Sequence, residues 1–137
     1  MQFAQLCDRV EDGAAAGPVD TAAFPGEWVN SNPETSGIAR LRMSEDGGGL
    51  SVRVYAVGPD GLIDWGAADA HVFTSSPASR VGAGFTCRYD FGFAETRLMG
   101  MLMKGLLVLA QIHTFKDDSG RADYFVREYY ALTHGRY

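Results

Sequence analysis

The chain is expected to fold as an all-β, eight-stranded antiparallel up-and-down β-barrel with a short N-terminal helix. Three observations carry this expectation. From Glu27 onward, apolar and polar residues alternate with period two. The alternating stretches are separated by turn chemistry, including "EDGGG", "GPDG", "KG" and "DDSG". No helix-length periodicity interrupts them. Short links favour neighbour-to-neighbour pairing over the arrangement of a β-sandwich, and eight meandering strands close into a barrel without exposed edges.

Residues 1–25 are read as a helix and linker, and 26–137 as the barrel domain. In "MQFAQLCDRVEDG", Phe3, Leu6, Cys7 and Val10 fall at i, i+3, i+4 and i+7, the stripe of an amphipathic helix. So short a helix needs a surface to dock on. "GAAAGPVDTAAFPG" follows as an irregular linker broken by Pro18 and Pro25. The strands are then "EWVNS" (27–31), "IARLRM" (38–43), "LSVRVYAV" (50–57), "AADAHVFT" (67–74), "AGFTCRYD" (83–90), "FAETRLMGML" (93–102), "LLVLAQIHTF" (106–115) and "ADYFVREYYAL" (122–132). "GLIDWG" (61–66) reads as a tight turn in which Asp64 caps backbone amides and Trp65 plugs one barrel end.

Hairpin loops set register, so the last four strands can be threaded. A two-residue turn at "KG" places Leu98 opposite Gln111 and Thr96 opposite His113. A turn at "DDSG" places Lys116 opposite Arg121, His113 opposite Tyr124, Gln111 opposite Val126 and Leu109 opposite Glu128. A turn at "FG" places Cys87 opposite Thr96 and Arg88 opposite Glu95. One face then carries Phe85, Cys87, Tyr89, Thr96, Leu98, Leu109, Gln111, His113, Tyr124, Glu128 and Tyr130, which is assigned to the lumen. The other carries Arg88, Glu95, Arg97, Met99, Met101, Val108, Ala110, Arg127 and Tyr129, and faces outward. Arg40, Arg42 and Arg53 belong to a solvated outer face. The outward set is apolar around Met99, Met101 and Tyr129, which suggests a homodimer surface or a seat for the N-terminal helix.

The chain has 137 residues, enough for one domain with its own core. A net charge of −5 and a pI near 5.0 argue against a nucleic-acid binder and against attraction to anionic membranes. No apolar run approaches the ~18 residues of a membrane span, and the N-terminus lacks the features of a secretory signal, so a cytoplasmic location is expected. Cys7 and Cys87 are expected to be free thiols. His71, His113 and His134 lie far apart, without metal-ligand spacing. No nucleophile elbow, glycine-rich phosphate loop or "HExxH" occurs, so no cofactor is expected.

The threaded lumen has the composition of a small-molecule pocket, with oily walls and sparse polar groups. His113, Glu128 and Tyr124 are the candidate catalytic residues. His113 would act as a general base or orient a carbonyl, and the tyrosine hydroxyls would donate to a developing enolate. Gln111, Thr96, Cys87, Phe85, Tyr89, Leu98, Leu109, Tyr130 and Trp28 are the candidate ligand-binding residues. The competing reading is structural: small barrels fill their interiors, and buried polar groups normally satisfy one another. Glu128 is the sharper signal, because an inward carboxylate needs a partner such as His113, an arginine or a ligand.

At "GEWVNSNPETSGIARLRM" the chain resembles the first hairpin of avidin-type barrels, which open on a Gly-x-Trp-x-Asn pattern matched by Gly26, Trp28 and Asn30. The resemblance covers about two strands, and the family's later biotin-contacting tryptophans have no counterparts here. With "DWG" (64–66) and "DDSGRADYFVREYY" (117–130), the chain also resembles small bacterial barrel proteins of unassigned function. By architecture alone it is similar to lipocalin-like and spirotetronate-cyclase barrels. That likeness implies a small, largely apolar molecule held in the lumen, for a cofactor-independent cyclase or isomerase of natural-product biosynthesis. The alternatives are a non-catalytic ligand-binding barrel, or a filled barrel that serves as an interaction or dimerisation module.

Overall fold

The computed structural model describes residues 18–133, except Gly48. The expected N-terminal helix with Phe3, Leu6, Cys7 and Val10 lies outside the described residues, as does His134. The period-two stretches form eight strands: β1 (Gly26–Asn30), β2 (Ile38–Asp46), β3 (Gly49–Gly58), β4 (Gly61–Thr74), β5 (Gly82–Asp90), β6 (Ala94–Met103), β7 (Leu106–Phe115) and β8 (Tyr124–Thr133). Each pairs antiparallel with its chain neighbour, and β1 pairs with β8 from Glu27↔Thr133 to Asn30↔Tyr130, closing the barrel.

Turn chemistry explains the register. Lys104 and Gly105 both have positive φ (51° and 82°), as a type I′ hairpin requires. The resulting ladder places Leu98 opposite Gln111 and Thr96 opposite His113, as threading predicts. The β7–β8 ladder likewise pairs His113 with Tyr124, Gln111 with Val126 and Leu109 with Glu128. It ends there. Lys116 and Arg121 do not pair: Lys116 Nζ reaches Asp90, while Arg121 lies over the Phe115 ring at 4.2 Å and binds Asp117.

The β5–β6 hairpin departs from expectation by two residues. Cys87 stands opposite Leu98, Tyr89 opposite Thr96 and Asp90 opposite Glu95. Phe91 N–H donates to Ala94 O, so the loop residues are Gly92 and Phe93 rather than Phe91 and Gly92. Gly92 takes positive φ (87°) at the first loop position, and Asp90 Oδ1 accepts from its N–H at 2.9 Å. A shift of two keeps every side chain on its predicted face.

"GLIDWG" is strand, not turn. β4 begins at Gly61, and the β3–β4 ladder carries an irregularity between Val54 and Tyr55. Opposite it, Gly66 has φ +85° and donates its N–H to Asp64 Oδ1 at 2.8 Å. The glycine and aspartate that suggested a turn shape a bulge, which bends the strand without ending it. Asp64 faces outward and pairs with Arg53, while Trp65 packs edge-on against Tyr89 and Phe91 at 5.4 and 4.9 Å.

The inner faces of all eight strands meet in one core. Trp28, Leu41, Val52, Val54, Phe85, Leu98, Leu107, Leu109 and Tyr130 are buried there. Phe24 closes one barrel end: Trp28 Nε1 donates to its carbonyl at 2.9 Å, and its ring meets Phe85 edge-on at 6.0 Å. Asp20 holds this plug by backbone bonds with Arg80 and Gly82. Each such fully buried aromatic or aliphatic side chain contributes about 1.5–3 kcal/mol.

Candidate ligand-binding site

The barrel end opposite Phe24 is open. Around it lie the β1–β2 loop (31–37), the β3–β4 turn, the Phe91–Gly92–Phe93 turn and the β7–β8 loop. Beneath them is a cavity of about 330 Å3. Ile38, Ala56, Val57, Ile63, Trp65 and Val126 form its apolar wall. Thr35, Ser36, Gly37, Gln111, His113, Tyr124 and Glu128 complete it. Inward-facing positions near the strand ends supply most of these side chains.

A chain of hydrogen bonds runs along one wall. Thr96 Oγ lies 2.8 Å from His113 Nδ1, His113 Nε2 lies 3.4 Å from Gln111 Oε1, and Gln111 Nε2 donates to Glu128 Oε1 at 3.2 Å. Burial holds the His113 pKa below its ordinary value, which favours the neutral ring. The network then assigns the Nε2–H tautomer: Thr96 donates to Nδ1, and Nε2–H donates to Gln111. The imidazole stacks on Tyr124 with centroids 4.4 Å apart.

Glu128 finds neither of the protein partners anticipated for it. Its Oε2 accepts from Asn30 Nδ2 at 2.9 Å and from Thr35 Oγ at 2.6 Å, and Gln111 serves Oε1. His113 reaches it only through Gln111. The neutral amides and hydroxyl are close enough to displace a cation as partners because β1, β7 and β8 converge at the barrel closure. Behind them, Tyr130 donates to Ile38 O at 2.7 Å. Burial, reinforced by the nearby Glu128, raises its phenol pKa and keeps it neutral.

Of the residues singled out from sequence, Gln111, His113, Tyr124 and Glu128 come together on the cavity wall. Thr96 sits behind His113, buried. Trp28, Phe85, Leu98, Leu109 and Tyr130 belong to the packed interior below the cavity. Cys87 is also buried, its thiol pKa pushed up to about 12 by desolvation. Tyr89 bonds to Gly66 O at 2.8 Å across the barrel wall. Asn30 and Thr35 are site residues that the sequence does not single out. The available signal was the alternation of Trp28 and Asn30, which puts both side chains on the inner face of β1.

Comparison with known proteins finds no match, whether to a family model, a curated protein or a solved structure. Fold and site together define the class: an eight-stranded closed antiparallel barrel of calycin-like architecture, filled at one end and hollow at the other. Among the described residues, no helix is long and apolar enough to cross a membrane. Nor do three or more His, Cys, Asp or Glu side chains there group as a metal site would need.

Proposed function

We propose that the barrel binds a small, largely apolar organic molecule in its open mouth. One observation carries this reading: an aliphatic and aromatic cavity of about 330 Å3 contains an ordered Glu128–Gln111–His113 wall. Such volume lies at the lower end of the range for ligand pockets, and sparse polar groups in an oily wall fix ligand orientation. Both His113 nitrogens are engaged within the protein, which favours binding over base catalysis. The test is ligand-observed NMR with an apolar fragment library, using wild type and Val126→Trp, whose side chain lies on the inner face opposite Gln111. Binding lost in the variant supports the mouth as the site; fragments that bind both equally, or none at all, would overturn it.

A second reading is a cofactor-independent cyclase or isomerase, favoured by the acceptor capacity left on Glu128 Oε1 beside its single 3.2 Å bond. Glu128 would then move the proton, Tyr124 would donate to a developing oxyanion, and His113 would act through Gln111 as a positioning residue. Under this reading Glu128→Gln abolishes turnover while affinity stays within about tenfold. Equal loss of both leaves the binding role alone. Exposed Met99, Met101, Met103 and Tyr129 on the outer wall support a homodimer, testable by sedimentation.

A further inference from the structure

The mouth pocket carries one formal negative charge and no opposing one. None of the ion pairs among the described residues includes Glu128, whose three protein partners are all neutral donors. The pocket lining's one potential cation, His113, has its pKa lowered by burial, and its Nδ1 accepts from Thr96. A carboxylate taken partly out of water with no counter-charge is costly, and a ligand cation would recover that cost. Trp65 and Tyr124 in the same wall offer aromatic faces, which attract cations.

The rim has the same sign. Its loops and strand ends carry Glu34, Asp60, Asp90, Asp117, Asp118 and Asp123 against Lys116 and Arg121, and both bases are bound to rim aspartates. Such a field draws cations towards the mouth. A divalent metal is a poor fit, because the described residues hold no group of three or more metal-type ligands. An organic monocation matches one carboxylate without a counter-charge in an oily wall.

We infer that the pocket takes an amine-bearing organic molecule, its ammonium group paired with Glu128 and its apolar body against Ile38, Val57, Ile63 and Trp65. This rests on the mouth-pocket reading above and specifies the ligand's charge.

The experiment titrates the full chain with tryptamine, N-acetyltryptamine and indole-3-propionic acid, which share a ring system and differ in charge. Binding is followed by protein NMR for wild type and Glu128→Gln. The amine is expected to bind at least about tenfold more tightly than the neutral amide, and the acid weakest. In Glu128→Gln the amine's advantage disappears while the amide's affinity is retained. Should that variant fail to fold, a salt series on wild type decides. Raising NaCl from about 50 to 500 mM must weaken the amine and spare the amide. Equal binding of amine and amide, or equal salt responses, would overturn the charge assignment and leave the pocket standing. Failure of all three probes to bind at millimolar concentration overturns both.

Discussion

Asn30 on the first strand donates to Glu128 on the last, Nδ2 to Oε2 at 2.9 Å, so the barrel closure and the pocket share one hydrogen bond. The same amide nitrogen serves Ile38 O at 3.0 Å, and Asn30 Oδ1 accepts from Asn32 N–H at 2.8 Å. Asn30→Ala should therefore cost about 1–3 kcal/mol, since it removes one donor each from a carboxylate and a buried carbonyl, which keep Thr35, Gln111 and Tyr130. Urea unfolding measures this, and a loss below about 0.5 kcal/mol would contradict the shared role.

His113 should make stability pH-dependent. Burial depresses its folded-state pKa below the ordinary 6.5, so the unfolded chain takes up the proton first as pH falls. This contribution is fully present above the unfolded value and is lost as pH falls through the folded one. Wild type should lose stability between about pH 7.5 and 5 more steeply than His113→Gln. Thermal unfolding across that range tests it; parallel curves would remove His113 as the cause.

Gly100 stands directly opposite Phe85, and a Cβ there would collide with the Phe85 ring. Phe85 is buried and has nowhere to go. Gly100→Ala should destabilise by about 1–3 kcal/mol through overpacking. Phe85→Leu in the same chain should relieve part of that cost, giving a coupling of ~1 kcal/mol in a double-mutant cycle. Strict additivity would show that the two do not compete for space.

Cys87 should be chemically silent in the folded protein. Its thiol is buried, with a pKa pushed up to about 12, so almost no thiolate exists at neutral pH. In a Cys7→Ser background, a disulfide reagent should label Cys87 only as fast as the protein opens, and rapidly in denaturant. Fast labelling under native conditions would mean that the wall around Cys87 breathes far more than its packing implies.

The reach of sequence reasoning followed the turns. "KG" has one favoured hairpin geometry, and that geometry alone places Gln111 and His113 on the same face as Leu107 and Leu109. The turn at "FG" is ambiguous from sequence, because either Asp90 and Phe93 or Phe91 and Ala94 can flank it. The positive φ of Gly92 and the Asp90 bond to its amide select the second, yet both choices leave the faces unchanged. "GLIDWG" misled for a different reason. Local turn chemistry and a bulge within a strand use the same residues, and only the pairing of β4 with β3 distinguishes them.

By itself, the sequence determined that residues 26–133 form β-structure, how many strands they make, and which side chains of the last four strands point inward. These follow from period-two alternation and turn residues, both local properties of the backbone. Tertiary structure alone decided where along the lumen space remains. Alternation assigns a face and carries no information about depth, so His113 and Leu109 read alike although one lines a cavity and the other is packed. Phe24, reaching under the barrel from outside the strands, fills one end. The convergence of β1, β7 and β8 gave Glu128 neutral partners from residues 17 to 98 positions away. The Asn30 and Thr35 bonds, 98 and 93 positions away, depend on closure of the whole sheet, whereas Gln111 reaches Glu128 across the β7–β8 hairpin.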